Sequence, residues 1–210
     1  MVCPFEMCLD ATLWADSIIC DYNYLFDPNV YLRRFFQNEK KMDYAFLIDE
    51  AHNLVERARE MYSAVLYKDH FLQIKRLLQL KSKKMVKCLE LCNKDLLALK
   101  RECDEFETVE HIQDFVLHLM RLVAEYEVFL QEHPSFDGRD LALDLYFDLR
   151  NFMNIYELMD EKYVIYTDYH DTEGLRIKLQ CMDPSTNILR QIEKGKSAIF
   201  FSATLLPIQY

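Results

Sequence analysis

The stretch Asp43-Tyr44-Ala45-Phe46-Leu47-Ile48-Asp49-Glu50-Ala51-His52 decides how this 210-residue chain is read. Four apolar residues in an unbroken row stop abruptly at two carboxylates. A short apolar run without alternation suits a central parallel strand covered on both faces. A carboxylate at the C-terminal tip of such a strand can hold Mg²⁺ through its water shell. The adjacent carboxylate can orient or deprotonate an attacking water. Asp49 and Glu50 stand in those two places, and His52 follows closely enough to hydrogen-bond a neighbouring element. The plain alternative is a strand end with solvated acids.

Working outward, residues 13–27 read as a helix end, a buried strand at Ser17-Ile18-Ile19-Cys20 and a turn. Pro28 then punctuates, residues 30–37 suit a helix, and residues 55–64 continue as another. From 69 to 104 the apolar positions Phe71, Ile74, Leu77, Leu78, Met85, Leu89, Cys92, Leu96 and Leu99 approximate a 3.6-residue period. The pattern repeats over 108–131, is broken by Pro134 and Gly138, and resumes over 141–159. This block predicts an all-α bundle. Residues 162–169 and 175–181 are rich in strand formers around Asp171-Thr172-Glu173-Gly174, which predicts a hairpin. Pro184-Ser185-Thr186 opens a short helix, and Ala198-Ile199-Phe200-Phe201 reads as another buried strand. The fold class is therefore mixed: a mainly helical insertion within a partial α/β sheet domain. The expected division is 1–56, 57–160 and 161–210.

Composition narrows the function. The 25 Lys and Arg against 35 Asp and Glu give a net charge of −10, which disfavours bulk electrostatic coating of nucleic acid. Only three glycines occur, so a loop built from several glycines cannot be encoded in full. Gly195-Lys196-Ser197 ends like a phosphate-binding loop, but Arg190 stands where the first glycine belongs and a strand follows. The seven cysteines have no C-x-x-C spacing and read mostly as small buried apolar residues. No apolar run is long enough to span a bilayer, and no secretory leader is visible.

Ser202-Ala203-Thr204 places small hydroxyl residues at a second strand tip, where they can bond a histidine such as His52. Taken together, these residues resemble a known family. Asp49-Glu50-Ala51-His52 followed by Asn53 is similar to motif II of superfamily 2 helicases. Ser202-Ala203-Thr204-Leu205, with Pro207 after it, resembles motif III of the iron–sulfur branch. With Cys3-Pro4-Phe5-Glu6 and the stretch from Ala15 to Pro28, the order matches the XPD/DinG-type DNA helicases.

The resemblance implies a fragment of an ATP-dependent DNA helicase working 5′ to 3′ in repair or replication. Residues 1–56 would be part of a RecA-like motor lobe 1, residues 57–160 the helical arch domain, and residues 161–210 the return to the lobe. Asp49 and Glu50 would serve ATP and Mg²⁺, and His52, Ser202 and Thr204 would couple hydrolysis to DNA movement. Cys3 would be the fourth ligand of a [4Fe-4S] cluster in the parent. The other three ligands have no counterpart, so no assembled cluster is expected here. Without a Walker A loop or lobe 2, the isolated chain is expected to be inactive. The implied partners are single-stranded or forked DNA and the remaining helicase segments, for a monomer in a bacterial cytoplasm with no membrane role. The rival reading is a non-enzymatic helical protein-interaction module.

Other features read less sharply. Lys75, Arg76, Lys81, Lys83, Lys84 and Lys87 form either a DNA-facing patch or a solvated helix face. Glu102, Asp104, Glu105, Glu107 and Glu110 read as a loop or helix start. Tyr22, Tyr24 and Phe26 would share one face if extended, as a base-stacking platform or as core. Arg33-Arg34 suits phosphate or carboxylate partners. His111, His118, His133 and His170 show no metal-ligand spacing.

Overall fold

Two strands from opposite ends of the sequence pair in parallel: β1 (Ala45–Ile48) and β6 (Ser197–Phe200), with Ala45 opposite Ser197 and Ile48 opposite Phe200. The structure is a computed structural model that describes residues 3–36 and 42–203. Phe46, Ile48 and Ala198 face a small core, while Leu47 and Ile199 are 68% and 56% exposed. Neither strand is therefore covered on both faces, as their apolar runs predict. The described residues give this sheet only two strands and a cover on one side.

The small core is closed by α2 (Asn23–Phe26), α3 (Arg33–Phe36), α4 (Leu54–Met61) and α9 (Ser185–Ile192). Leu25, Phe26, Phe36, Ile48 and Leu54 are its buried members. Phe36 meets Tyr44 and Phe46 edge-on, with ring centroids 6.0 and 5.9 Å apart. A Cβ on Gly195 would sit 2.4 Å from the Phe46 ring, so the chain passes this close only without a side chain. Upstream, α1 (Pro4–Ala11) begins with Pro at its first turn and buries no residue. Arg34 ties it down through Glu6, at 3.0 Å, and Asp10. The strand expected at 17–20 does not form: the segment finds no partner strand, and Ile19 is fully exposed. Of the helix expected over 30–37, the described residues form α3 at Arg33–Phe36, and residue 37 lies outside them.

The larger core begins at β2 (Ala64–Tyr67) and continues through α5 (Lys68–Leu78), α6 (Lys83–Glu102), β3 (Phe106–Thr108), α7 (Gln113–Glu132) and α8 (Arg139–Leu158). It closes with β4 (Tyr163–His170) and β5 (Gly174–Cys181). The long periodic stretch 69–104 is broken between α5 and α6, where the Ser82 side chain caps α6 by accepting the Met85 amide at 3.3 Å. Gly138 turns the chain into α8 with φ 78°, and a Cβ there would lie 2.7 Å from Leu77. The positive φ favours glycine, and a side chain here would also have to displace Leu77.

The helical block is not all-α. Strands β2 and β3 flank the expected hairpin in an antiparallel sheet of order β2-β5-β4-β3. Four- and three-residue strands are too short to register as a period against long helices. In the hairpin, Arg176 opposes Asp168 and grips it with two bonds of 2.6 and 2.7 Å. This hairpin, grouped by sequence with the returning lobe, shares its sheet with β2 and its core with the helices.

The two cores touch. Met61 and Ile188 pack against both. The buried Tyr62 hydroxyl donates to the Phe26 carbonyl. Asn29 bonds Asn151 and Asn154 of α8 at 2.8 and 3.1 Å.

Candidate functional site

Parallel pairing continues past the strand ends. The Phe201 amide donates to the Ile48 carbonyl at 3.0 Å, and the Ala51 amide donates to the Phe201 carbonyl at 3.1 Å. These two bonds bring the residues after β6 against those after β1. Glu50 adopts φ 51° and ψ 38°, the left-handed region, and its amide donates to Asp49 Oδ1 at 2.7 Å. For a residue with a side chain this conformation is strained by about 1–3 kcal/mol, and such strain concentrates at functional sites. A 3₁₀ turn at Ala51–Asn53 then leads into α4.

The result is a three-residue contact at the surface. His52 Nδ1 lies 2.8 Å from Ser202 Oγ, Ser202 Oγ lies 3.2 Å from Glu50 Oε2, and His52 Nδ1 lies 3.2 Å from that same carboxylate oxygen. With Ser202 donating to Glu50, the tautomer of His52 that carries its proton on Nδ1 meets both oxygens. Asp49, Glu50, His52 and Ser202 are thus brought together from positions some 150 residues apart. Thr204, Leu205 and Pro207 lie outside the described residues.

The residues present fit a magnesium ion of the kind that keeps most of its waters. Asp49 is exposed at a strand tip and offers one carboxylate, the usual protein share of a phosphate-bound Mg²⁺. They do not fit an iron–sulfur cluster. Cys3 is exposed at the N-cap of α1, and no group of three or more metal-ligating side chains exists among the described residues. Three of the seven cysteines, Cys3, Cys8 and Cys20, are exposed rather than buried. Burial pushes the Cys92 thiol far up, as befits an inert core residue.

Several sequence expectations change on folding. Tyr22, Tyr24 and Phe26 do not alternate along an extended segment, because Asn23–Phe26 is helical. Phe26 is wholly buried, and Arg57 lies over Tyr22 at 5.5 Å. Within the basic cluster, Lys75 pairs with Glu90 at 2.9 Å, and Lys81 lies over the Phe136 ring at 4.8 Å. Arg34 takes carboxylate partners. His118 pairs with Asp95 at 2.6 Å, and His133 stacks on Phe129 at 4.4 Å. The Phe201 main chain, which clamps the two strand tips, left no sequence signal, since any residue could supply it.

Residues 1–71, about a third of the chain and including the Asp49–His52 turn, match the family DEAD_2. That segment is similar to the N-terminal region of XPD/DinG-type helicases. The DEAD_2 match covers α1 through the first turn of α5 and stops before most of the larger core. A solved structure of Xpd4 from S. tokodaii has a similar fold, with a TM-score of 0.50 and 17% sequence identity. The match covers 88% of this chain and 39% of that one, so the fragment spans well under half the length of its structural relative. The search of curated proteins found no match. No helix among the described residues is long and apolar enough to cross a membrane.

Proposed function

We propose that the chain is part of the motor of an ATP-dependent DNA helicase, with residues 57–160 as its arch insertion and the flanks as parts of lobe 1. The contact joining Glu50, His52 and Ser202 supports this most directly. It links the carboxylate suited to activating water with a hydroxyl on the far side of the inserted block. In this reading Asp49 holds a hydrated Mg²⁺, which supplies charge neutralisation for the phosphates. Glu50 orients and accepts a proton from the attacking water. His52 and Ser202 hold Glu50 in place and transmit its state to the segment after β6, with Thr204 beyond it. The parent would translocate 5′ to 3′ on single-stranded or forked DNA during repair or replication, as a cytoplasmic monomer in a bacterium. Cys3 would serve a [4Fe-4S] cluster only alongside ligands from elsewhere in the parent. Lacking a phosphate-binding loop, the isolated chain would not turn over ATP.

The test is Glu50→Gln in the full-length parent. ATPase turnover should fall by at least about a hundredfold, in line with loss of a general base, while nucleotide binding is retained. Turnover near wild type would remove Glu50 from its assigned role.

A further inference from the structure

A cavity of about 500 Å³, apart from the contact at Glu50, opens where α6 ends and β3 begins. Glu102, Glu107 and Glu110 line it, with Leu99 and Val109 as apolar walls and Thr167 of β4 beneath. None of the three carboxylates has an ion-pair partner among the described residues. Thr167 is 1% exposed, sits directly opposite Glu107 in the sheet, and its hydroxyl has no hydrogen-bond partner. An unbonded buried hydroxyl is uncommon and destabilising, so it calls for an explanation. A cationic ligand reaching in from the acidic rim would supply the missing donor. The strand that contributes Glu107 is also the outermost of its sheet, with every residue of Phe106–Thr108 exposed. A free edge is a template for an added strand.

We propose that this pocket binds the guanidinium of an arginine in an extended basic peptide of a partner protein, the peptide pairing along the free edge of β3. The arginine stem lies against Leu99 and Val109. Its planar head, with five N–H donors, meets the carboxylates and the Thr167 hydroxyl. A metal ion suits the pocket less well, because no three of its side chains converge on one point. This site is independent of the helicase reading.

The test is fluorescence anisotropy with a fluorescein-labelled nine-residue peptide of alternating valine and arginine, at low salt. Saturable binding is expected. Replacing arginine by citrulline, or the double change Glu107→Gln and Glu110→Gln, should weaken it by about tenfold or more, the loss expected for charged hydrogen bonds. Glu56→Gln with Glu60→Gln, which removes the same charge from α4, should leave it unchanged. Thr167→Val should weaken binding several-fold yet leave thermal stability equal or higher, because it removes an unbonded hydroxyl without changing volume. Absence of saturable binding would overturn the proposal. So would equal losses from the α4 and pocket variants, or full binding of the citrulline peptide.

Discussion

The two cores bury their strands differently. In the larger, every second residue of β5 is sealed: Leu175, Ile177, Leu179 and Cys181 are at most 2% exposed. In the smaller, β6 leaves Ile199 and Phe200 56% and 42% exposed, and β1 leaves Leu47 more exposed still. The larger core thus seals one face of its central strand, and the smaller leaves its sheet half open. The strained Glu50 and its contacts belong to the smaller. Stability and candidate chemistry are therefore housed apart, and the second depends on a scaffold held by the first.

The strongest way to break this comparison is to cut one aromatic from each core. Phe152, wholly buried on α8 and edge-on to Phe115, should cost about 3–5 kcal/mol when replaced by Ala. Phe46, only half-buried, should cost about 1–2 kcal/mol, because less area leaves water on folding. Urea denaturation of both variants gives the comparison. Equal losses would mean that the cores share the load.

A smaller effect is expected at the junction. Tyr62 lies in the larger core but donates to the Phe26 carbonyl of the smaller. Burial pushes its phenol up to about 12, so it stays a donor throughout the physiological range. Tyr62→Phe leaves that carbonyl unpaired and should cost about 1–3 kcal/mol. Hydrogen exchange should quicken across residues 22–36 and stay unchanged in α7. Uniform quickening would show that the cores open together.

How much of this was legible in the sequence follows the same divide. The helices of the larger core announce themselves, because Leu89, Cys92 and Leu96 or Leu119, Leu122 and Tyr126 repeat at helical spacing and are buried. Strands β2 and β3 did not, since three or four residues carry too little pattern and their pairing is set by distant partners. The approach of Ser202 to His52 was read from residue type alone, and its geometry needs the pairing of β1 with β6. Ser17–Cys20 looked like a strand because apolar composition says nothing about whether a neighbour is present. The acidic pocket was invisible, as it requires Glu107 and Thr167 to face each other across sixty residues of chain.

The smallest effect lies where the chain leaves the larger core for the smaller. Asp183, between β5 and α9, pairs with Lys162 at 2.9 Å and accepts the Ser185 amide and hydroxyl at 2.9 and 3.0 Å. The Lys162 ammonium, with help from Ser185, lowers the Asp183 carboxyl from 3.8 to about 2. A carboxyl depressed on folding contributes stability that is present above its unfolded value and lost as pH falls through its folded one. The contribution should be complete above pH about 4 and gone near pH 2. Because the pair is exposed to solvent, the effect is modest and weakens with salt. Asp183→Asn should lower the thermal midpoint slightly at pH 6, and the two proteins should converge as pH approaches 2. If the gap between them persists at pH 2, this carboxylate does not help fasten α9 to the end of β5, and the other contacts between the cores, the Tyr62–Phe26 bond and the packing of Met61 and Ile188 among them, hold the passage.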